Sequence, residues 1–316
     1  MSRSITIAFL VYDSRSGSTL LAREMASRLT NTFVTPEIGF DLSLKKGMVS
    51  PKIVNAMFAG HEFVNLPLSR DEVQHIARRS QGRTGLKAFL LDISASILAR
   101  GDIPSANTII YKNGTHIRYL RELSSIFGRD LKLIHIVRDP RAVINSKLRT
   151  MRPRYPRECM AWGGSLVAAW QWTTYMKRLN WLQQQGIRFL EIRYEDLLRD
   201  PDGELARIAD YLNVELKTIP AENAYQIPVK ELGIHQLVVS GRMEPGRCRA
   251  WQQELSPSDL ATIESVTAKT MCRYGYQPTR TPNLLTRTLQ INRQIPRTTL
   301  LVLRHYYRSV TYAANR

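Results

Sequence analysis

Continuous apolar runs, rather than alternating ones, mark the strands of this sequence. The first run, Ile5–Tyr12, ends in a cluster of turn-forming residues, and Ser18–Leu29 then places apolar residues at helical spacing. An unbroken apolar run bounded by turn formers is typical of a strand buried on both faces in a parallel sheet. Later strand candidates are Gly85–Leu90, Thr108–Tyr111, Leu131–Val137 and Ile187–Ile192.

Segments with helical character follow several of these runs. Residues 141–149 turn helical after the fourth run, and the acidic residues that follow Ile192 suit a helix N-terminus. Strands that alternate with helices predict an α/β fold, with a doubly wound, mainly parallel sheet flanked by helices in a single domain. Such sheets bind ligands at the carboxyl ends of their strands. Residues 31–80 are predicted to form helices and loops that shape a substrate cleft.

Length and charge divide the chain unevenly. The 316 residues suffice for one large α/β domain, which we assign to residues 1–276, followed by a basic C-terminal extension over residues 277–316. Of the formal net charge of +18, residues 265–316 supply nine Lys or Arg and no acidic residue. Because half of the excess lies in this segment, and because the sequence has no base-reading motif, the charge does not predict a specific nucleic-acid partner.

The cysteines and the N-terminal segment indicate a compartment. Cys159, Cys248 and Cys272 are widely spaced, without a Cys-x-x-Cys pair or nearby histidines at metal-binding spacing. We therefore expect reduced, buried thiols and no metal site. The apolar run at the N-terminus is too short to span a bilayer. These features predict a cytoplasmic protein.

The segment between the first strand and the first helix has the character of a phosphate-binding loop. Gly17 permits close approach of the backbone, the following N–H groups point at an anion, and the new helix adds the positive end of its dipole. A Walker loop places Lys and Ser/Thr after its second glycine. Here Ser18 and Thr19 follow Gly17 directly, and the cation, Arg15, precedes it. The loop is therefore P-loop-like without favouring magnesium-ATP chemistry.

A second cationic motif follows the strand that ends at Val137. Arg138 stands directly after this strand, Arg141 follows it, and Ser146 lies eight residues beyond Arg138. A guanidinium gives permanently charged, bidentate contacts to phosphate, and a hydroxyl adds a neutral donor. Taken alone, the motif is equally typical of an Arg–Asp pair that caps a helix.

Together the two motifs resemble those of the sulfotransferases that use 3′-phosphoadenosine 5′-phosphosulfate (PAPS). Their 5′-phosphosulfate loop is matched by Arg15-Ser16-Gly17-Ser18-Thr19, and their 3′-phosphate motif by Val137–Val143 with Ser146. Arg193–Leu197 is similar to a segment of the carbohydrate and tyrosylprotein branches, and Trp251–Tyr276 to their closing pattern. The resemblance covers residues 5–276.

The resemblance implies a donor site and a co-substrate, PAPS, with no metal. It implies that a 5′-phosphosulfate group binds the loop and that a 3′-phosphate binds the second motif. A basic segment before Trp251 is expected to close over the nucleotide, so that Arg247 or Arg249 reaches the 3′-phosphate. The implied donor-binding residues are Arg15, Ser16, Gly17, Ser18, Thr19, Leu20, Arg138, Ser146 and Arg247.

The catalytic base is implied less directly. Because the loop carries Arg15 where the aryl and steroid branches have lysine, the resemblance favours a glutamate base after the first helix, which is Glu37. Lys112 resembles the lysine that contacts the transferring sulfate, although Gly114 replaces an expected proline. We therefore expect Glu37, Lys112 and Arg15 to be catalytic. Competing candidates are Lys87 as the cation and His61, His75 or His116 as the base.

The resemblance predicts transfer of a sulfuryl group to an acceptor hydroxyl, with a saccharide or glycolipid favoured. Trp162, Trp170 and Trp172 could stack on sugar rings or belong to the core. Two other functions stay open, a P-loop-like nucleotide kinase and a nucleic-acid-binding protein that uses the basic tail. For residues 277–316 we favour a helix packed on the domain; peripheral contact with an anionic membrane and an arm for a polyanionic acceptor are the alternatives.

Overall fold

The computed structural model describes residues 5–60, 62–63, 65–80, 85–100, 106–152, 155–221, 225, 245–279 and 284–314. Its strands are β1 (Thr6–Tyr12), β2 (Thr32–Val34), β3 (Thr108–Lys112), β4 (Lys132–Val137), β5 (Met151–Arg152), β6 (Tyr155–Cys159) and β7 (Leu190–Arg193). Its helices are α1 (Ser18–Arg28), α2 (Asp41–Lys46), α3 (Pro51–Ala59), α4 (Arg70–Arg79), α5 (Gly85–Arg100), α6 (Leu120–Phe127), α7 (Pro140–Arg149), α8 (Gly164–Gln184), α9 (Tyr194–Arg199), α10 (Pro201–Leu212), α11 (Trp251–Glu254), α12 (Pro257–Met271) and α13 (Leu284–Ala314).

A five-stranded sheet in the order β2-β3-β1-β4-β7 organises the fold. The central strand β1 is parallel to both neighbours, with Ala8 opposite Ile110 on β3 and Leu10 opposite Ile134 on β4. Strand β2 is parallel to β3. These pairings confirm the predicted α/β class with a mainly parallel sheet flanked by helices.

Burial on both faces explains why the strands lack alternation. Phe9 and Leu10 point to opposite faces of β1, and both are fully buried, as are Ile110 and Leu133 on the neighbouring strands. The Phe9 ring lies against Tyr111 and against Phe127. The sheet therefore has apolar contacts above and below its centre, which fixes the carboxyl ends of β1, β2 and β3 relative to one another.

The predicted secondary structure differs from the structure in several parts, among them strands β5 and β6, which were not predicted. The sequence predicts a strand over Gly85–Leu90, but this segment is the first part of the sixteen-residue helix α5. Its apolar residues continue at helical spacing through Ile93 and Ile97, both buried, so the six-residue run is too short to distinguish the two periods. The three-residue strand β2 was not predicted, because so short a run carries no periodicity.

The chain divides into two compact units. The first comprises residues 1–12, 17–136 and 178–232, and contains most of the sheet with α1 to α6. The second comprises residues 13–16, 137–177 and 233–316. Its core includes Ile144 from α7, Leu166 and Ala169 from α8, and Ile263 from α12. The domain boundary at residue 276 stays a prediction.

The basic tail forms the long helix α13, which packs on α12 as the sequence favoured. Arg287 Nε donates to the Ser265 carbonyl at 2.7 Å, and Gln290 Nε2 donates to the Ser258 carbonyl at 3.1 Å. In the described part of the chain, no helix has both the length and the apolarity that a membrane span requires. No disulfide joins the three cysteines. Cys159 and Cys248 are half-buried and Cys272 is exposed, whereas burial was expected.

Candidate active site

The carboxyl ends of β1, β2 and β3 bring three polar side chains together. Tyr12 ends β1, Lys112 ends β3, and Glu37 follows β2 by three residues. The Lys112 Nζ atom donates to Glu37 Oε1 at 3.0 Å, and the Tyr12 hydroxyl donates to the same oxygen at 2.6 Å. Because parallel strands end at one edge of a sheet, side chains from three distant parts of the chain form one cluster.

The side chains of this cluster differ in their exposure to solvent. The Lys112 side chain is 1% exposed, whereas that of Glu37 is 39% exposed. The ammonium lies 5.6 Å from the centre of the Tyr12 ring. Burial, and then the negative charge of Glu37, raise the pKa of the Tyr12 hydroxyl well above its usual range, so this group keeps its proton and acts as a donor. Glu37 is therefore held by two donors on one oxygen while the carboxylate still reaches solvent.

The segment after β1 makes a tight turn into α1. Ser16 N–H donates to the Asp13 carbonyl at 3.1 Å, and Arg15 has the left-handed backbone angle φ of 75°. Gly17, with φ of 94°, is the N-cap of α1. Because Leu21 N–H makes the first bond of this helix, to the Gly17 carbonyl, the N–H groups of residues 18–20 lie in its first turn, the part of a helix that binds anions.

Gly17 is required by packing as well as by its backbone angle. A Cβ atom at this position would overlap the aromatic ring of Tyr194, the first residue of α9. Tyr194 belongs to the Arg193–Leu197 segment noted in the sequence, and it is buried. The structure gives this segment a role that sequence reasoning missed, since its tyrosine covers the glycine of the loop. The motif at the end of β7 was visible in the sequence, but the sequence did not indicate which residue its tyrosine contacts.

Within the second unit, hydrogen bonds link Arg15 to both Ser146 and Arg138. Arg15 Nε donates to Ser146 Oγ at 2.9 Å. Arg138 Nη1 donates to the Arg15 carbonyl at 3.2 Å, and Arg138 Nη2 donates to the Arg247 carbonyl at 2.9 Å. These three acceptors are neutral. The hydrogen bonds place two permanently charged side chains next to the loop, and positive charge at such a position favours binding of an anion.

The neighbouring Arg141 has a structural role. Its guanidinium forms ion pairs with Asp139 at 2.7 Å and with Glu264 at 2.9 Å, and it stacks over Trp251 at 4.0 Å. Asp139 also caps α7 by accepting from the Arg141 backbone N–H. The helix-capping interpretation of this motif therefore holds for Asp139 and Arg141, while Arg138 is directed toward Arg15.

A buried ion pair fixes the start of the loop to α7, and sequence reasoning did not anticipate it. Lys147 Nζ donates to both carboxylate oxygens of Asp13, at 2.5 and 2.7 Å. Their side chains are 4% and 1% exposed. Both residues are adjacent to predicted donor-binding residues, Lys147 to Ser146 and Asp13 to the loop. Their separation of 134 positions along the chain concealed the pairing.

Lys147→Met is expected to lower the free energy of unfolding by about 3–5 kcal/mol, because it leaves the Asp13 carboxylate buried without its cation. Urea unfolding followed by circular dichroism measures the change. The double variant Asp13→Asn/Lys147→Met removes both charges and should recover much of the loss. A single variant that loses under about 1 kcal/mol, near the value of an exposed pair, would refute this role for Asp13–Lys147.

The predicted role of Arg247 in donor binding stays a prediction. Its carbonyl accepts from Arg138, while its own guanidinium, half exposed, lies 3.9 Å from Glu254. Arg249 is exposed. Gly241 and Arg242, at the start of the same basic segment, lie outside the described residues.

The alternative cation, Lys87, and the alternative base His75 lie on helices of the first unit. Lys87 lies on α5 and is 3.9 Å from Asp130, with 45% of its side chain exposed. His75 is exposed on α4, and His61 lies outside the described residues. Lys112 is thus the lysine that contacts Glu37.

His116 is fully buried, with its ring parallel to that of Phe40 and edge-on to that of Phe9. Among the described residues, neither ring nitrogen has a hydrogen-bond partner. Burial lowers the pKa of His116 to about 3. The imidazole is therefore a neutral core side chain, which makes it a poor candidate for the base that receives a substrate proton.

The buried His116 is expected to make the fold sensitive to acid. The unfolded chain binds a proton at His116 below about pH 6.5, whereas the folded chain does so only near pH 3, so this contribution to stability falls as pH drops through that window. Between about pH 7 and pH 4.5 the loss from this residue is about 2.5 kcal/mol. Urea titrations of wild type and His116→Leu at both pH values measure it. Equal pH dependence in the two proteins would contradict the assignment.

The three tryptophans differ in their surroundings. Trp172 is fully buried and packs edge-on against Tyr274, so it belongs to the core. Trp162 stacks on His305 of α13 at 4.6 Å. Trp170 is 52% exposed, and is thus the one of these three with an open ring face for a sugar. Among the described residues, no three His, Cys, Asp or Glu side chains are grouped to hold a metal ion.

A glycine loop after the first strand of a parallel sheet, with a second cationic motif after β4, defines a P-loop-like α/β protein. Residues 9–218, more than half of the chain, match the sulfotransferase family. The chain belongs to this family.

Curated relatives support the same grouping. The chain is 31% identical over 118 residues to the omega-hydroxy-beta-dihydromenaquinone-9 sulfotransferase of Mycobacterium bovis. The aligned region covers 34% of this chain and 29% of that protein. It is 27% identical over 196 residues to carbohydrate sulfotransferase 2 of Mus musculus, covering 48% of the chain and 36% of the relative. The matches thus span about a third of the length of these relatives.

Solved structures show the same fold. The sulfotransferase domain of the Synechococcus PCC 7002 olefin synthase superposes with a TM-score of 0.58 at 22% identity, covering 89% of this chain and 97% of that domain. The sulfotransferase domain from the curacin biosynthetic pathway superposes with a TM-score of 0.50 at 21% identity, covering 87% and 99%. At these identities the likeness concerns the fold alone.

Proposed function

We propose that this protein transfers the sulfuryl group of PAPS to a hydroxyl group of a saccharide or glycolipid. The observation that carries the proposal is the group formed by Arg15, Ser146 and Arg138, because it presents two oriented cations and a hydroxyl to an anion. Membership of the sulfotransferase family supports the reaction type. One curated relative is named for a carbohydrate and another for a hydroxylated quinone, so a hydroxyl-bearing acceptor agrees with both names.

The donor-binding residues divide by the phosphate that each serves. Arg15, Ser16 and the backbone N–H groups of residues 17–20 are proposed to bind the 5′-phosphosulfate, where the first turn of α1 also favours negative charge. Arg138 and Ser146 are proposed to bind the 3′-phosphate, and Arg247 to add a further cation. This fits the donor because the side chains offer permanent positive charge and neutral hydroxyl donors rather than carboxylates.

The reaction needs a base, a cation and a stable leaving group. The acceptor oxygen forms a bond to sulfur, the bond from sulfur to the 5′-phosphate oxygen breaks, and the hydroxyl proton passes to the Glu37 carboxylate. The leaving adenosine 3′,5′-bisphosphate retains the electron pair of the broken bond. Lys112 and Arg15 stabilise negative charge on the sulfuryl oxygens and the leaving oxygen.

Tyr12 acts as a positioning residue in this scheme. Its hydroxyl and the Lys112 ammonium both bind Glu37 Oε1, and two donors on one oxygen fix the plane of the carboxylate that receives the acceptor proton. Since the raised pKa of Tyr12 keeps it protonated, this orientation persists across the neutral pH range.

Activity with sulfur-labelled PAPS tests the function. The purified protein is incubated with the labelled donor and a chelator, and with separate saccharide, glycolipid, hydroxylated-lipid and phenol acceptors. We expect label in a saccharide or glycolipid and an equal amount of adenosine 3′,5′-bisphosphate. Transfer to phenols alone would refute the acceptor class. Phosphate transfer from magnesium-ATP without sulfuryl transfer would instead establish a nucleotide kinase.

A further inference from the structure

Helix α13 leaves many of its apolar side chains exposed to solvent. Tyr306, Tyr307 and Leu285 are each about 70% exposed, and Leu303 is 60% exposed. Leu289 and Leu300 are half exposed. We call these six residues the outward face of α13. At 1.5 Å per residue the outward face extends for about 33 Å along the helix, so it forms a strip rather than isolated contacts.

The inward side of α13 combines the apolar contact of Ile291 with the core and several polar contacts. Besides the bonds of Arg287 and Gln290 to α12, Gln294 Nε2 donates to Ser258 Oγ at 2.8 Å. His305 Nδ1 lies 2.8 Å from a Glu158 carboxylate oxygen. A surface helix of a globular protein ordinarily turns its apolar stripe inward and its polar residues to water. On α13, by contrast, the six apolar residues of the outward face are exposed, and several polar side chains point toward the protein.

A row of arginines borders the outward face. At about 100° per residue, Leu285, Leu289 and Leu303 fall within roughly 40° of one another around the helix axis. Arg293, Arg297 and Arg304 form their own sector about 80° to one side, and all three are exposed. No acidic residue occurs anywhere in residues 265–316. Arg297 lies 3.9 Å from Asp259 of α12. The helix thus joins an apolar strip to a row of arginines and has no acidic residue of its own.

We propose that α13 lies on the surface of an anionic lipid membrane. Its leucines enter the boundary between headgroups and acyl chains, its tyrosines sit at the headgroup level, and its arginines pair with lipid phosphates. The charge complementarity favours anionic lipid over a second copy of this chain. Two copies packed through the outward face would bring Arg293 and Arg304 of each copy close to those of the other, and α13 has no acidic residue to compensate them. The proposal concerns membrane contact and does not depend on sulfuryl transfer.

Co-sedimentation with vesicles tests the proposal. Vesicles containing equal parts of phosphatidylglycerol and phosphatidylcholine should bind the wild-type protein at low salt, and pure phosphatidylcholine should bind it less. Arg293→Gln/Arg304→Gln should weaken binding roughly 30-fold, since each arginine near an anionic surface contributes about 1 kcal/mol, or about fivefold. Leu285→Ser/Leu289→Ser/Leu303→Ser should weaken binding at least about tenfold.

Matched variants distinguish binding through the outward face from nonspecific binding of the protein to vesicles. Ile219→Ser removes an exposed apolar side chain of the other unit, and Arg199→Gln removes an exposed arginine, so neither should alter binding. Unchanged melting temperatures confirm that all variants fold. No binding of wild type to anionic vesicles, or equal binding by the triple-serine variant, would overturn the proposal. A wild-type dimer that the triple-serine variant converts to monomer would show instead that a second copy covers this face.

Discussion

Glu37→Gln is expected to lower the rate constant of sulfuryl transfer by about 10²–10⁴-fold, the usual effect of removing a general base. Glutamine keeps the shape of the side chain, but its amide cannot take the acceptor proton. The measurement is single-turnover transfer from sulfur-labelled donor with saturating acceptor. Because the substitution also leaves the buried Lys112 without its carboxylate, the melting temperature and the affinity for adenosine 3′,5′-bisphosphate must be measured on the same preparation.

Asp41 supplies the matched control. Burial raises the pKa of its carboxyl, a property that often accompanies a catalytic base, and its Oδ1 accepts from the Thr115 hydroxyl at 2.6 Å. Asp41→Asn should nevertheless leave the transfer rate unchanged, because the Lys112 and Tyr12 donors converge on Glu37 instead. If Asp41→Asn abolishes transfer while Glu37→Gln does not, the base has been assigned to the wrong carboxylate.

Arg138→Ala is expected to weaken adenosine 3′,5′-bisphosphate binding by about 10- to 150-fold, the equivalent of one hydrogen-bonded charge contact worth about 1.5–3 kcal/mol. Binding of adenosine 5′-monophosphate should change less, because this ligand lacks the 3′-phosphate. Isothermal titration calorimetry measures both affinities. Arg199→Ala, which removes an exposed arginine paired with Asp196, is the control and should bind like wild type. Equal losses for the two ligands would exclude Arg138 as a residue specific for the 3′-phosphate.

The sheet was predictable because its strands are buried on both faces. β1 and β4 are mostly apolar, with Thr6, Lys132 and His135 as the exceptions, and neither contains a glycine or a proline. Gly85–Leu90 shares that character over six residues, and only its continuation to Arg100 reveals the helix. Local composition is thus sufficient to predict a strand at the centre of the sheet. It is not sufficient to tell a strand from a short apolar run at the start of a helix.

The candidate site was predictable in its residue types but not in its pairings. The sequence placed Arg15 and Arg138 each after a strand, and parallel topology then explains why such positions meet at one edge. It could not show that Tyr12 and Lys112 share one oxygen of Glu37, or that Lys147 neutralises Asp13. These contacts join segments between 25 and 134 positions apart, and they depend on the register of the whole sheet.

The tail illustrates the same limit. The sequence indicated an apolar segment with many arginines, from which packing on the domain was favoured over membrane contact. The structure shows packing through Ile291 and through the polar contacts of Arg287, Gln290 and Gln294. The six leucines and tyrosines of the outward face remain exposed. Packing and membrane contact are therefore compatible, because they use opposite sides of α13.

Calorimetric titration of the wild-type protein with adenosine 3′,5′-bisphosphate, in the presence of a chelator, is the most direct test of a site built for two phosphates. We predict binding without a divalent metal, and binding of adenosine 5′-monophosphate that is at least about tenfold weaker, since the second ligand cannot contact Arg138. Equal affinity for the two nucleotides, or binding that requires magnesium and prefers ATP, would contradict a PAPS-dependent sulfotransferase.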